Sequence, residues 1–324
     1  MWTDFLICII TMKNITINKS KIKNFLKDTD LTSKEIEHLL KVSAEIKKHP
    51  ELFSSRLKNK TVALLFEKAS LRTKFTLQIG INEMGGYSVI NDGKIPDREP
   101  IGDIARNLER WVDIVVARVY SQATLEELTN YSKIPIVNAL SDKYHPCQAL
   151  ADMLTLQEHF GHLQGLKLAF VGDGNNVANS LMLTSASLGI NFRIATPEGY
   201  EPDKNIIKKA RSLNKKSKGT LLVTNSIEKA VRGVDVIYTD TWVSMGEEAE
   251  ADIRRRIFAG HKVTNQMFKL AKKDAVFMHC LPKHPNEEVA EEVFESKRSL
   301  VFEQAENRLH TIKALLAFLV SRNY

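Results

Sequence analysis

Short apolar runs recur along the chain and alternate with stretches of helical periodicity. The runs occupy residues 61–66, 87–90, 114–119, 134–137, 166–171, 192–196, 234–238 and 275–278. Continuous apolar runs of this kind are typical of strands that are buried on both faces of a parallel sheet. Because polar turns and helical patterns separate many of these runs, the sequence predicts an α/β fold with parallel sheets flanked by helices.

Apolar spacing and capping residues predict the helices. One helix should begin at Thr32 or Ser33, either of which can cap the first turn, and an apolar stripe then runs from Ile36 to Ile46. Further helices are predicted at residues 148–159, 247–256 and 309–320. The second of these is highly charged, so we expect it to be solvated, whereas the last is strongly apolar and must pack on another element.

The best-defined unit spans residues 61–86. Its apolar run predicts a buried strand, and Leu71, Phe75 and Ile79 then recur at the four-residue spacing of a helix. Gly85 and Gly86 follow at the positions where glycines commonly end a helix. The unit is therefore predicted to be a strand, a short polar turn and a helix.

Length, composition and charge narrow the class of protein. A chain of 324 residues that is 43% hydrophobic and 26% charged is predicted to form two globular domains of ordinary size. Lysines scattered along the chain produce the formal net charge of +7, which weakly favours an anionic substrate and gives no indication of nucleic-acid binding. Three dispersed cysteines are too few for a disulfide framework, so we expect a reducing, cytoplasmic location.

The sequence gives no sign of membrane insertion or export. No apolar stretch approaches the length of a membrane-spanning helix. Residues 1–11 contain a short apolar run, but no basic region precedes it. We interpret these residues as a surface extension or an upstream start before Met12, not as a signal peptide.

The junction between the predicted strand at 61–66 and its helix is a candidate anion site. Ser70, Arg72 and Thr73 lie where the unpaired N–H groups and the positive end of the helix dipole favour an anion. The planar guanidinium of Arg72 can bind phosphate or carboxylate oxygens in pairs. On chemistry alone, a capping serine at a solvated first turn is an equally good interpretation.

Further polar residues lie at or beyond the ends of predicted strands, which is where open α/β sheets bind ligands. Taken singly, each has an ordinary alternative: a surface ion pair for the arginine, a turn residue for the aspartate, or a small buried side chain for the cysteine. The residues in question are Arg118, His145, Asp240 and Cys280.

Cofactor signals are weak. The turn at residues 172–176 resembles the start of a Rossmann half, but it lacks the third glycine, and no acidic residue ends the next strand. A nicotinamide site is therefore disfavoured. His159 and His162 could in principle share a metal, but no third ligand lies nearby in the sequence. We expect neither a metal nor an organic cofactor.

Four short motifs occur together in one order along the chain. They are Ser-Leu-Arg-Thr at 70–73 after Phe-Glu-Lys, His-Pro-Cys-Gln at 145–148, Asp-Thr-Trp-Val-Ser-Met-Gly at 240–246, and His-Cys-Leu-Pro at 279–282. From about Met12 onward, the chain resembles the aspartate/ornithine carbamoyltransferase family. The third and fourth motifs are similar to those of the members that use ornithine.

The resemblance implies transfer of the carbamoyl group from carbamoyl phosphate to the δ-amine of L-ornithine, giving L-citrulline and phosphate. It assigns catalytic roles to Arg72, Arg118, His145 and Cys280. It implies a carbamoyl-phosphate site formed by Ser70, Leu71, Arg72, Thr73, Arg118, His145, Gln148, Cys280, Leu281 and Arg308. It implies an ornithine site formed by Asn176, Asp240, Ser244 and Met245.

The same resemblance implies an architecture and an assembly. Two Rossmann-like domains are expected, with residues 1–148 binding carbamoyl phosphate and residues 149–324 binding ornithine. The C-terminal helix, at about 307–320, is expected to return to the first domain. A homotrimer or an assembly of trimers is expected, with Lys94, in the polar loop at 91–100, reaching a neighbouring subunit's site. No nucleic-acid or membrane partner is implied.

Three positions depart from the family pattern. Leu71 stands where threonine is usual, Pro100 where serine is usual and Ile104 where threonine is usual. These departures motivate one alternative, a homologue that binds carbamoyl phosphate without catalysis. A carbamoyltransferase for another amine, such as putrescine, is a second alternative, although the Ser-Met-Gly string argues against it. A Rossmann oxidoreductase is the third.

Overall fold

The structure is a computed structural model that describes residues 22–96, 98–244 and 246–320. The predictions for residues 1–11 and for Met245 lie outside the described residues. Within these ranges the chain forms two parallel sheets. The strands are β1 (Thr61–Phe66), β2 (Tyr87–Asp92), β3 (Ile114–Arg118), β4 (Ile136–Leu140), β5 (Lys167–Val171), β6 (Asn191–Ala195), β7 (Leu221–Thr224), β8 (Val236–Thr239) and β9 (Val276–His279).

Helices connect the strands and cover both sheets. They are α1 (Ser33–Lys48), α2 (Leu71–Glu83), α3 (Ile101–Trp111), α4 (Gln122–Tyr131), α5 (Pro146–Phe160), α6 (Asn176–Leu188), α7 (Lys204–Ser217), α8 (Ile227–Val231), α9 (Ala251–Phe258), α10 (Asn265–Phe268), α11 (Glu291–Phe294) and α12 (Val301–Val320). The predicted α/β class, with parallel sheets flanked by helices, is confirmed.

The strand order places a ligand-binding edge in each sheet. The first sheet has the order β2-β1-β3-β4 and the second the order β7-β6-β5-β8-β9. The chain therefore turns in opposite directions after β1 and β3, and again after β5 and β8. Ligands of open α/β sheets bind at such switch points, beyond the carboxyl ends of the strands. Phe66 and Arg118 pair at the end of the first of these edges.

The helix α2 has the predicted position but not the orientation that its apolar spacing would favour. Leu71, Phe75 and Ile79 are 68%, 57% and 42% exposed, respectively. The opposite side of the helix is buried, including Leu77 and Ile81. The four-residue spacing therefore identified a helix, but this stripe is not the side that packs on the domain core.

The last helix begins earlier than predicted. The strongly apolar part starts at Leu309, but the helix begins at Val301 and runs without a break to Val320. Gln304, Asn307 and Arg308 are buried within its first turns. The early start adds polar residues to the helix, and these three side chains form hydrogen bonds to buried partners on other elements.

The two halves of the chain are packed together through α12 and α6. As expected, α12 returns to the first sheet's helices, where it packs against α1, α2 and α5. Its Lys313 forms an ion pair with Glu83 at 2.6 Å. At another contact, Asp28 accepts hydrogen bonds from Ser180 and Thr184 of α6, at 2.6 and 2.9 Å. Within the described residues, no helix is both long and apolar enough to cross a membrane.

Candidate active site

The turn between β1 and α2 forms a capped helix start. Ser70 has an extended backbone, and its hydroxyl accepts a hydrogen bond from the N–H of Thr73 at 3.3 Å. This is the capping role foreseen as the simpler interpretation. It does not exclude anion binding, because the other N–H groups of a first turn have no partner within the helix. The Leu71 side chain points to solvent, so at this position only the backbone faces the helix start.

Arg308 joins three of the predicted site residues. Its Nη1 donates to Gln148 Oε1 at 2.5 Å and lies 3.4 Å from His145 Nε2, and its Nη2 donates to Thr73 Oγ1 at 3.2 Å. All four side chains are buried. The predicted residues of α2, α5 and α12 therefore meet in one cluster.

Two further arginines lie close enough to this cluster for their charges to interact with it. Burial, followed by the charges of Arg308 and Arg72, lowers the pKa of Arg118 to about 10. Burial also lowers the pKa of Arg72, and Arg308 lowers it further. The Nε of Arg118 is buried, and no described residue accepts a hydrogen bond from it. Because neighbouring positive charges repel one another, an anion bound between these arginines would stabilise their charged forms.

His145 is neutral at physiological pH. Burial, followed by the charges of the three arginines, lowers its pKa well below the usual value. Because Arg308 donates toward Nε2, the ring proton belongs on Nδ1. Nδ1 is buried, and none of the residues in the described ranges is its hydrogen-bond partner. The imidazole therefore offers one free N–H donor.

Asp240 and Cys280 are in direct contact beyond the ends of β8 and β9. The thiol of Cys280 donates to Asp240 Oδ1 at 3.0 Å, and Asn175 Nδ2 donates to the other carboxylate oxygen at 2.8 Å. Burial and then Asp240 raise the pKa of Cys280 well above its usual value, so the sulfur keeps its proton. Cys280 also interacts electrostatically with Arg72, which connects this pair to the arginines.

The remaining predicted ornithine residues occupy the neighbouring loops. Asn176 donates from Nδ2 to the carbonyl oxygen of Ser141 at 2.6 Å, so this amide is tied to the loop that precedes His145. Ser244 is half-buried, and its N–H donates to Glu247 at 2.9 Å. Met245 lies outside the described residues. Neither of these hydrogen bonds joins Asn176 or Ser244 to the Asp240–Cys280 pair.

The segment after residue 244 contains the mostly exposed helix that was predicted for residues 247–256, but with different bounds. It begins with a short 3-10 turn at Glu248–Glu250, and α9 follows. Arg254 of α9 is buried, forms an ion pair with Asp173 and donates to the carbonyl oxygen of Trp242 at 2.6 Å. Sequence alone did not reveal this burial, because the acidic partner lies in a distant turn.

Three residues with clear structural roles were not assigned any from the sequence. Glu67 accepts from the N–H groups of Ile95 and Tyr120, at 2.7 and 2.6 Å, and so joins the ends of two neighbouring segments to β1. Lys68 is buried, and burial followed by the charge of Arg118 lowers its pKa. Glu67 and Lys68 precede the Ser70–Thr73 motif, separated from it only by Ala69, so their nearness to that motif was a usable signal.

Asp152 is the third such residue. It is fully buried, its Oδ1 accepts from Gln148 and Gln304, and its Oδ2 accepts from Tyr238. Burial raises the pKa of this carboxyl group to about 7. Its position four residues after Gln148, on the same side of α5, was the only sequence signal, and it did not distinguish a buried aspartate from a surface one.

The histidine pair considered as a metal site gains no third ligand. His159 packs edge-on against Phe160 at a ring separation of 4.7 Å, and Nδ1 of His162 lies 2.9 Å from the carbonyl oxygen of Phe160. Among the residues described, the groups whose side chains could together hold an ion do not include either histidine. Within the described part of the chain, this pair therefore lacks the third ligand that a metal site would need.

Comparison with known proteins agrees with this geometry. A family profile described as the carbamoyl-P binding domain of aspartate/ornithine carbamoyltransferase matches residues 23–158. A second profile, described as the Asp/Orn binding domain of the same family, matches residues 164–319. Together the two matches include both sheets and nearly all of the candidate site.

Individual relatives match over most of their length. An ornithine carbamoyltransferase of Thermus thermophilus is 46% identical over 301 residues, which is 92% of this chain and 97% of that protein. The solved ornithine carbamoyltransferase of Pyrococcus furiosus has a TM-score of 0.90 at 43% identity, covering 93% of this chain and 97% of that one. The anabolic ornithine carbamoyltransferase of Campylobacter jejuni has a TM-score of 0.89 at 38% identity, covering 93% and 100%. This chain belongs to the aspartate/ornithine carbamoyltransferase family.

Proposed function

We propose that the protein transfers the carbamoyl group of carbamoyl phosphate to the δ-amine of L-ornithine, giving L-citrulline and phosphate. The observation that carries this proposal is the proximity of three arginines near the N-terminus of α2: the charge of Arg308 lowers the pKa of Arg72 and of Arg118, and the charge of Arg72 lowers the pKa of Arg118 as well. A phosphate dianion would relieve that repulsion and accept their hydrogen bonds. The names of the relatives favour ornithine over putrescine and over a non-catalytic role.

The phosphate of the first substrate would lie at the helix start. Backbone N–H groups near Ser70 and Leu71, the hydroxyl of Thr73 and the guanidinium of Arg72 would bind its oxygens. Residue 71 would contribute only its backbone N–H group to this contact. Leucine in place of the usual threonine therefore leaves the donor intact. Arg118 carries a buried Nε–H that would bind the same group.

The carbamoyl carbonyl would lie nearer the cluster around Arg308. The free Nδ1–H of His145 would donate to the carbonyl oxygen, where negative charge develops as the tetrahedral centre forms. The carbonyl oxygens of the loop after His279, including that of Leu281, would accept from the carbamoyl NH2 group. The side chain of Gln148 is hydrogen-bonded to both Arg308 and Asp152. It would therefore orient the carbamoyl group without changing its own conformation.

Ornithine would approach from the second sheet. Asp240 would bind an ammonium group of ornithine, and Asn176, Ser244 and Met245 would complete its site. Cys280 contacts Asp240 and interacts electrostatically with Arg72, so it would lie beside the reacting amine. Because the thiol keeps its proton, it could take up the amine proton only while passing its own to Asp240.

The reaction then needs no covalent enzyme intermediate. The neutral δ-amine attacks the carbamoyl carbon and forms the new C–N bond, and the carbonyl oxygen gains negative charge. The C–O bond to phosphate breaks as the carbonyl reforms, and the amine releases one proton. The protein contributes placement of the two substrates and stabilisation of the developing charge.

We also propose that the protein acts as a homotrimer or an assembly of trimers in the cytoplasm. The exposed stripe Leu71, Phe75 and Ile79 on α2 lies beside β2, an edge strand whose Tyr87 and Val89 are likewise exposed. Large apolar side chains that the described part of the chain leaves exposed on neighbouring elements are typical of a subunit interface. A second copy would cover it and bring Lys94 to a neighbouring site.

Sedimentation tests this assembly. Phe75→Glu should convert the trimer to monomers, because a buried unpaired charge opposes association. Glu37→Gln, on the exposed side of α1, is a control that should leave the trimer intact. A monomeric wild-type protein with full activity would refute the proposal. The division into a carbamoyl-phosphate domain at 1–148 and an ornithine domain at 149–324 stays a prediction.

The direct test of the reaction is a citrulline assay on purified protein. With carbamoyl phosphate and L-ornithine, we expect citrulline and phosphate in equal amounts, and with putrescine we expect little product. Preference for putrescine would change the assigned amine. Tight binding of a phosphonate analogue without any product from either amine would support the non-catalytic alternative and refute the proposal.

A further inference from the structure

A second cluster of ligating side chains lies outside the proposed active site, in the turn after β9. One potential metal-binding atom from each of His284, Glu287 and Glu288 lies within 4.8 Å of the others. The turn that brings them together is closed by a hydrogen bond from the Glu287 N–H to the His284 carbonyl at 3.3 Å. The spacing i, i+3, i+4 therefore places the three side chains on one side of a turn.

Each member of this cluster has a buried atom without a partner. His284 Nδ1, Glu287 Oε2 and Glu288 Oε2 are buried, and no residue in the described part of the chain lies within hydrogen-bond distance of them. Glu288 as a whole is 0% exposed. A buried carboxylate oxygen without a donor costs free energy comparable to a lost hydrogen bond or more, so this side chain points to a missing cation or donor.

The other oxygen of each carboxylate is fixed. Glu288 Oε1 accepts from His279 Nε2 at 3.0 Å and from the His284 N–H at 2.8 Å, and Glu287 Oε1 accepts from Arg255 at 2.9 Å. Ligating carboxylates are commonly held in this way by outer hydrogen bonds. The two free oxygens are therefore oriented before any ion arrives.

A neighbouring group, Asp240, His279 and Cys280, is a weaker candidate. Both ring nitrogens of His279 are used, since Nδ1 accepts from the Leu281 N–H at 2.8 Å and Nε2 donates to Glu288. Asp240 and Cys280 are hydrogen-bonded to each other. This second group would have to break existing contacts to bind an ion, whereas each residue of the cluster at 284–288 has one buried atom without a hydrogen-bond partner among the described residues.

We propose that His284, Glu287 and Glu288 bind one divalent first-row transition ion of the zinc type, with water in the fourth position. One imidazole and two carboxylates form a ligand set that such ions accept in tetrahedral geometry, with metal–ligand distances of about 2.0–2.2 Å. Tetrahedral ligands at that distance are about 3.3–3.5 Å apart, so only a small closure of the cluster is needed. The partial exposure of His284 and Glu287 leaves a path for the ion and its water.

Such an ion would rigidify the segment at the end of β9, which includes Cys280. Glu288 is bonded to His279, which directly precedes Cys280, and Glu287 is bonded to Arg255 of α9. Binding would therefore connect α9 to the end of β9. The proposal is independent of the proposed reaction, because carbamoyl transfer needs no ion at this position.

Equilibrium dialysis against Zn2+, with elemental analysis of the protein, tests the proposal. The background is Cys280→Ser, which removes the thiolate ligand of the neighbouring group. This variant should retain about one equivalent of zinc. Adding Glu287→Gln or His284→Phe should weaken zinc binding by more than about ten-fold. Adding Glu292→Gln, an exposed carboxylate on α11, should leave zinc binding unchanged.

A Co2+ spectrum distinguishes the two groups without relying on affinity. In the wild-type protein we expect the visible bands of tetrahedral cobalt without a thiolate charge-transfer band. Melting curves in chelator provide the folding control, because both cluster variants should melt as the parent does when no metal is present. Loss of all zinc in Cys280→Ser, a thiolate band, or unchanged affinity in Glu287→Gln and His284→Phe would overturn the proposal.

Discussion

Arg308 donates a hydrogen bond to Gln148 at 2.5 Å, although 160 positions separate the two residues in the chain. The contact ties the last helix to α5, and through Thr73 to the start of α2. The last helix is thus part of the candidate site and not only a covering element. The site can therefore form only when the C-terminal helix has packed on the first sheet.

Arg72 provides the most direct test of charge stabilisation. Arg72→Ala should reduce kcat/KM for carbamoyl phosphate by about 10²–10³-fold, because a cation is lost where charge develops. Steady-state citrulline formation measures the effect. Arg211→Ala, on the exposed side of α7, is the matched control and should keep the full rate. A near-normal rate in Arg72→Ala would remove this residue from the site.

Asp240 should contribute mainly to the binding of ornithine. Asp240→Asn should raise the KM for ornithine by about ten-fold or more, since a charge-assisted hydrogen bond to an ammonium group is lost. The KM for carbamoyl phosphate should change little. Asp252→Asn, an exposed carboxylate of α9, serves as control. An effect confined to carbamoyl phosphate would contradict the assigned role.

Asn175 should position Asp240 and not bind substrate itself. Asn175→Ala removes the donor to the Asp240 carboxylate and also a helix cap worth about 1 kcal/mol. We expect a smaller rise in the KM for ornithine than in Asp240→Asn, together with a lower melting temperature. When Asn175→Ala is added to Asp240→Asn, the KM for ornithine should rise little further, and a double-mutant cycle measures this coupling. Full additivity would show that Asn175 acts elsewhere.

Cys280 should behave as a thiol and not as a thiolate. Burial and Asp240 raise its pKa well above the usual value, so alkylation by iodoacetamide at neutral pH should be slow. Cys280→Ser retains a donor to Asp240 and should lose less activity than Cys280→Ala. Mass spectrometry measures the alkylation. Rapid modification of Cys280 near pH 7 would show that the sulfur is ionised and would contradict this assignment.

Asp152 should give the protein a pH-dependent stability. Its folded-state pKa is about 7, against an ordinary value of 3.8, so the folded state binds more protons between those values. The contribution of Asp152 to the free energy of unfolding is therefore complete below the ordinary pKa. It is lost as pH rises through the folded-state pKa, and the loss is on the order of a few kcal/mol. Asp152→Asn should therefore show a shallower fall in stability between about pH 4 and 8.

Denaturant unfolding across that pH range measures the Asp152 effect. Asp142→Asn, in the exposed part of the loop before His145, is a control for loss of a carboxylate. Identical pH profiles for Asp152→Asn and the wild-type protein would mean that the buried carboxyl does not titrate in this range.

The strands and the first helix of the site could be predicted because their signals are local. The apolar run of β1 and the capping serine at α2 depend on residues next to one another in the chain. The short edge strand β7 was missed, since its apolar run is only three residues long, Leu221 to Val223, and is followed by the polar Thr224. The motif residues Arg118, His145 and Asp240 were correctly placed at or beyond the ends of strands, which is where the switch points lie.

Other features depended on partners that the sequence does not reveal. The stripe that begins at Leu71 is exposed because the opposite side of α2 meets α12, whose packing is set by the whole fold. Arg254 is buried because Asp173 lies across a turn more than eighty positions away. The carboxylate of Asp240 meets Asn175, whereas the resemblance pointed only to its neighbour Asn176.

A crystal structure with a phosphonate analogue of carbamoyl phosphate tests the central claim most directly. We predict the phosphonate at the start of α2, bound by the Ser70–Thr73 turn and by Arg118, with the carbonyl oxygen near His145 Nδ1. A structure in which that turn is empty while the analogue occupies another pocket would contradict the account.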